Sequence, residues 1–173
     1  MVIFALQQIG FGQAIFNALH FPAVDGQQWQ LWRWLSHAVL HFSVMHIAFN
    51  ILWWWQLGGD IEKKLGGLKL LQIFAVSSAL SGAGQYWVEG VNFGGLSGVV
   101  YALVGYLWVV GAKAPQLGLG IPRQIVGFML VWLVLGYMQP FMAIANTAHL
   151  AGLVAGVIIL SLIHISEPTR HTR

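Results

Sequence analysis

The sequence predicts an all-α integral membrane protein: a six-transmembrane-helix bundle with an interfacial helical first external loop. Composition comes first. Hydrophobic residues make up 58% of the 173 positions and charged residues only 8%, whereas a soluble domain carries about 25% charged residues. The second observation is that the few charges divide the chain into uncharged runs of crossing length. The third is that the basic residues collect on one side of the membrane once the runs are threaded through it.

The elements follow in order. Residues 1–24 carry no charge, and Asp25 and Arg33 then interrupt. Residues 34–59, 70–88 and 90–112 are each uncharged, and a spanning helix needs about 20 residues. The uncharged run 124–166 is too long for one crossing and breaks at Gly136-Tyr137-Met138-Gln139-Pro140, so it reads as two helices. The six expected helices are about 2–19, 42–58, 69–87, 96–112, 122–138 and 146–163.

Between the first two lies a connection, residues 20–41, rich in Trp29, Trp32, Trp34, His37 and His41. It is apolar but too short to cross and return, so it is expected to form short amphipathic helices in the interface. One membrane domain, residues 1–163, accounts for the chain. The polar tail 164–173, with Ser166-Glu167-Pro168-Thr169-Arg170-His171-Thr172-Arg173, shifts composition abruptly and reads as a cloning or assembly scar on the cytoplasmic side.

Orientation follows from the basic residues. With six crossings, one side holds Lys63, Lys64, Lys69, Lys113, Arg123, Arg170 and Arg173, and the other only Arg33. Both termini are therefore expected in the cytoplasm. The net charge of +3 is too small and dispersed to suggest nucleic acid, and with no Cys there is neither a disulfide framework nor thiolate chemistry.

In this orientation the second, fourth and sixth helices all start on the external side. Near those starts stand His46 and Asn50, Ser97, and His149. Polar groups at membrane depth are costly unless they face the bundle interior or water, which makes them candidates for function. From His149, Gly152 and Gly156 lie at i+3 and i+7; from Ser97, Tyr101 and Gly105 lie at i+4 and i+8. Small faces let helices approach closely, so packing through them brings Ser97 and His149 together as nucleophile and base. No carboxylate is placed to orient the histidine, which leaves a Ser–His dyad, with Tyr101 as the ring to stack on the imidazole. Backbone N–H groups at the start of the fourth helix, with Ser97 among them, and the side chains of His46 and Asn50 could stabilise an oxyanion. Gly94-Gly95 would let backbone approach a substrate strand.

Blander readings stand beside each of these. A serine at a glycine-rich helix start is often a cap or packing residue, a membrane histidine is often a satisfied bundle residue, and Asn50 can be interhelical glue. His37, His41 and His46 raise a metal site or transporter, although no carboxylate or Cys joins them.

Taken together, His41-x-x-x-x-His46-x-x-x-Asn50, Gly95-Leu96-Ser97-Gly98 and Ala148-His149-x-x-Gly152-x-x-x-Gly156, with Trp32-Arg33 before them and Glu62-Lys63-Lys64-Leu65-Gly66 after the second helix, resemble the rhomboid intramembrane serine proteases, most closely their bacterial GlpG type. The resemblance covers roughly residues 1–163. It implies a six-helix enzyme of the bacterial inner membrane, its site open to the periplasm, that cleaves transmembrane protein substrates in the lipid bilayer without a cofactor. By match it implies Ser97 as nucleophile, His149 as base, His46 and Asn50 as oxyanion donors, and Arg33 and Glu62 as structural residues. Met142 and Ile144 look like the family's lid, and Phe128 and Trp132 like its lateral gate. Members of this type often carry a cytoplasmic N-terminal domain that this sequence lacks, which implies a core without it. The alternative is a catalytically inactive rhomboid-like binder of membrane proteins, which would usually lack the serine or the histidine.

Overall fold

The computed structural model describes residues 1–138 and 145–160, with the backbone alone at 159 and 160. The expected lid residues Met142 and Ile144, and the tail 164–173, lie outside the described residues. Six long helical segments occupy the places expected from the charge pattern. They are α1 (Val2–Leu19), α2 (Val44–Leu65), α3 (Gly67–Glu89), α4 (Ser97–Lys113), α5 (Arg123–Met138) and α6 (146–160). No strand occurs among the described residues.

By length and hydropathy alone, only α1 among the described helices suffices for a crossing; α4, α5 and α6 are apolar but shorter. The physical reason lies in where the polar residues point. α3 carries Ser77, Ser78, Ser81 and Gln85, all buried inside the bundle. Large apolar side chains such as Trp55, Leu71, Trp87 and Val131 are exposed on the periphery. A polar interior inside an apolar exterior suits lipid as the surrounding solvent, and it lowers the mean hydropathy of each helix.

α4 is the axis of the bundle. Its residues are apolar on every face, as a helix surrounded on all sides requires, and the run Gly98–Leu107 is buried throughout. Leu57 and Ile61 of α2, Leu70 and Ile73 of α3, Val126, Met129 and Leu133 of α5, and Leu153 of α6 close around it. Its most extensive packing is against α6. The cause is a row of glycines on each helix. A Cβ on Gly152 would collide with the Gly98 carbonyl, and one on Gly156 with the Ala102 carbonyl. In the other direction, a Cβ on Gly105 would come within 2.6 Å of the Leu153 carbonyl oxygen. Only backbones without side chains fit this close.

The first connection folds as short turns, Gln27–Trp29, Arg33–Ser36 and His37–Val39. Arg33 is buried and, rather than pairing with a carboxylate, binds the end of α1: one terminal nitrogen donates to the Asn17 carbonyl at 2.9 Å, the other to the His20 carbonyl at 3.2 Å, and Nε to Gln30 at 2.6 Å. His37 enters the protein between Phe21 and Phe93. Its Nε2 lies 3.1 Å from the Ser78 carbonyl on α3, and its own carbonyl accepts the Gly95 N–H at 2.9 Å. One residue thus ties the connection, α3 and the glycine loop together. Burial pushes the His37 imidazole down from its ordinary 6.5 to about 4, a shift that the Ser78 carbonyl partly opposes.

Two outcomes follow. Gly152→Val places a side chain against backbone that cannot give, and should destabilise the protein by about 1–3 kcal/mol, read as a lower unfolding midpoint in detergent micelles. For His37 the sign is set by a depressed folded value. The unfolded chain takes up its proton near pH 6.5 and the folded one only near pH 4, so stability is full above 6.5 and falls as the pH drops through that window. The unfolding midpoint should decline over this range, and less steeply in His37→Gln.

Candidate functional site

The loop before α4 brings its residues into contact with both neighbours. Gly94 lies against Leu40, where a Cβ would come within 2.6 Å of that side chain. Gly95 has φ +122°, a backbone state that only glycine adopts at low cost, and a Cβ there would come within 2.6 Å of the His46 ring. The chain can thus turn sharply into α4 while the imidazole of α2 packs on the turn.

Ser97 is the first residue of α4, and Leu96, not Ser97, is its cap; no side chain caps this end. The hydroxyl is free for another partner. His149 of α6 supplies it: Ser97 Oγ and His149 Nε2 lie 2.7 Å apart across the α4–α6 contact. Ser97 is half-buried and His149 buried. The Tyr101 ring, one turn below Ser97, stacks on the imidazole with centroids 4.7 Å apart and planes 21° from parallel. Its hydroxyl donates to the Met129 carbonyl of α5 at 2.8 Å, which locks the ring. Among the described residues no hydrogen-bond partner meets Nδ1 of His149, so ring stacking and helix position orient the imidazole.

On α2, Ser43 caps the helix by accepting the His46 N–H at 3.1 Å. The His46 ring is half-buried and edge-on to His41 at 4.9 Å. Asn50 is buried, but its Nδ2 donates to the His46 carbonyl at 3.0 Å, one turn back on its own helix. His46 therefore reaches the serine loop through Gly95, while Asn50 is bonded within α2. His37 bonds to α3 instead of joining His41 and His46. On α5, Phe128 and Trp132 stack at 6.3 Å and meet α2 through Trp53 and Phe49.

A further set escaped the sequence reading. At the start of α6, Ala145 provides no side-chain cap. The Gln85 side-chain oxygen Oε1 accepts the Ala148 N–H at 2.9 Å in its place. Gln85 Nε2 donates to Glu89 at 2.9 Å, and the Thr147 hydroxyl donates to the other Glu89 oxygen at 2.8 Å. Glu89, two residues beyond the end expected for the third helix, is the last residue of α3. The signal was present: Ser77, Ser81, Gln85 and Glu89 recur every four residues, a polar stripe along one face of an otherwise apolar helix.

The arrangement can move a proton from a hydroxyl to a ring nitrogen, beside a helix N-terminus with unpaired N–H groups. Known proteins share its sequence. The Rhomboid domain profile matches residues 28–166. Proteins named Rhomboid protease GlpG are 52% identical over 160 residues in Pectobacterium atrosepticum, 49% in Yersinia enterocolitica and 48% in Yersinia pestis. Each alignment covers 92% of this chain and 58% of the relative, so the chain spans little more than half the length of the curated relatives it matches. With a domain match across most of its length, this all-helical membrane protein belongs to the rhomboid family.

Proposed function

We propose that the chain is an intramembrane serine endopeptidase that cleaves transmembrane protein substrates with Ser97 as nucleophile and His149 as general base. The observation that carries this reading is the 2.7 Å approach of Ser97 Oγ to His149 Nε2. That is within the 2.6–3.2 Å over which a base takes a proton. The relatives' shared name, Rhomboid protease GlpG, points the same way.

In the proposed reaction, Ser97 Oγ passes its proton to His149 Nε2 and bonds to the carbonyl carbon of the scissile peptide. The carbonyl π electrons move to its oxygen, which becomes an oxyanion. The electrons return as the C–N bond breaks, and His149 gives the proton to the departing amine. Water then repeats the sequence on the acyl-enzyme, loses its proton to His149, and releases the carboxylic acid and a free Ser97. The Ser97 N–H and the His46 ring, next to the loop at Gly95, are suited to bind the oxyanion. Asn50 joins them if its amide turns from the His46 carbonyl as substrate enters. No cofactor takes part in this scheme.

Substrate geometry follows from the bundle. A helical peptide bond is shielded by its own turn, so the substrate must unwind locally before Ser97 reaches it. Entry between α2 and α5 would part the stacked Phe49–Trp132 and Trp53–Phe128 pairs, which makes Phe128 and Trp132 the gate. Met142 and Ile144 are proposed to cover the site from outside. The topology proposed is six crossings in the bacterial inner membrane with both termini cytoplasmic, supported by the one-sided distribution of Lys and Arg. Ser97, at the start of α4, then faces the periplasmic side, where water enters.

The rival reading, an inactive binder of membrane proteins, has no observation in its favour here, since serine and histidine are both present and bonded. The test is proteolysis of a labelled transmembrane substrate in lipid vesicles. Ser97→Ala should lower cleavage by at least about 10³-fold. Equal cleavage by both proteins would remove the proposal.

A further inference from the structure

We infer that Glu89 is a positioning residue for His149: its carboxylate fixes the first turn of α6, and with it the imidazole, through Gln85 and Thr147. This rests on the protease reading of the Ser97–His149 pair. Among the described residues His149 has no acid on its ring, and Nδ1 has no hydrogen-bond partner. The direction of the ring is therefore inherited from the backbone that carries it. That backbone begins poorly: Ala145 cannot cap the helix, and the first intrahelical bond near the ring is the His149 N–H to the Ala145 carbonyl at 3.2 Å. The N–H groups before it need acceptors from elsewhere.

Gln85 supplies one, from a neighbouring helix. Its side-chain amide has two chemically different ends, and only the oxygen can satisfy the Ala148 N–H. A free glutamine could present either. Glu89, one turn further along α3, settles the choice. An ionised carboxylate only accepts, so it holds the NH₂ end at 2.9 Å and leaves the oxygen for Ala148. Its second oxygen takes the Thr147 hydroxyl at 2.8 Å. Two successive residues of α6, Thr147 and Ala148, are thus bound to α3 immediately before His149. Negative charge beside a helix N-terminus is favourable in itself. Gln85 is buried while Glu89 is exposed, so the tether runs from the external surface to the residue next to the ring.

A role through position, with no contact to substrate, separates turnover from substrate binding. In full-length protein in lipid vesicles, with a fluorogenic transmembrane peptide, Glu89→Leu and Thr147→Val should each lower kcat by about tenfold with KM changed by less than about twofold. Glu89→Gln keeps one acceptor oxygen and should restore part of the rate. The double variant Glu89→Leu/Thr147→Val should be no slower than the slower single, because Glu89→Leu already removes the bond that Thr147→Val removes. Independently of turnover, amide hydrogen exchange at residues 147–149 should be faster in Glu89→Leu than in wild type. Unchanged kcat in both single variants, or additive losses in the double, would overturn the inference. So would unaltered exchange at the start of α6. If Glu89→Leu does not fold, Thr147→Val decides alone, since it removes one hydroxyl and keeps the shape. Cleavage that survives Ser97→Ala would instead defeat the protease reading, and the exchange measurement would still decide the tether.

Discussion

The close approach of α4 and α6 is the constraint on which the rest depends. Ser97 and His149 are 52 residues apart in sequence and sit on different helices. A 2.7 Å contact between them requires the two backbones to be nearly touching. Gly98 against Gly152, Ala102 against Gly156 and Gly105 against Leu153 provide that distance over two turns. In a bilayer no hydrophobic force draws one apolar helix to another, so packing of this kind must supply the attraction. The Ser97–His149 contact is in this sense a by-product of glycine packing: it lies at one end of the same seam.

Around the seam, polar groups work as fasteners rather than as chemistry. Ser77 donates to the Ile73 carbonyl, Ser81 to the Ser78 carbonyl, and Ser78 lies against His37. His37 then holds the loop that leads into Ser97. Arg33 secures the first connection to the end of α1 by two hydrogen bonds, to the Asn17 and His20 carbonyls, and is itself held by a third to Gln30. Each such bond lacks competition from water, so leaving a partner unmade is costly. The first connection, α3 and the loop before α4 are therefore fixed to one another, and the contact between α2 and α5 is held by ring stacking. The gate proposed between α2 and α5 relies on that difference in fastening.

Much of this was legible in the residues. Charge spacing located the helical segments within about two positions, because ionised side chains are excluded from apolar runs; the exceptions are α2, which runs seven residues past its expected end through Asp60, Glu62, Lys63 and Lys64 to Leu65, and α6, whose expected end lies outside the described residues. The i+3, i+4 and i+7 offsets from Ser97 and His149 identified the faces that meet, and Tyr101 stacks where its one-turn offset puts it. What periodicity could not convey was the partner of a polar group. Asn50 and His46 share a face of α2, yet the Asn50 amide bonds within its own helix, a choice made by rotamer and not by spacing. Glu89 fell outside the third helix because that helix was expected to end two residues early, at position 87. The four-residue spacing of Ser77, Ser81, Gln85 and Glu89 marked a face of α3, but nothing in one helix reveals that α6 lacks a cap for that face to supply. Helix lengths too were only partly readable, since α3 hides its polar residues inside the bundle and α4 relies on neighbours for its burial.

The central claim is that packing of α4 on α6 makes Ser97 a nucleophile through His149. It is tested most directly by the covalent state of the serine. Folded protein in lipid vesicles, treated with a fluorophosphonate and digested for mass spectrometry, should carry one adduct, on Ser97, and His149→Ala should abolish it. No adduct on the folded wild-type protein, or the same adduct at the same rate in His149→Ala, would contradict the account.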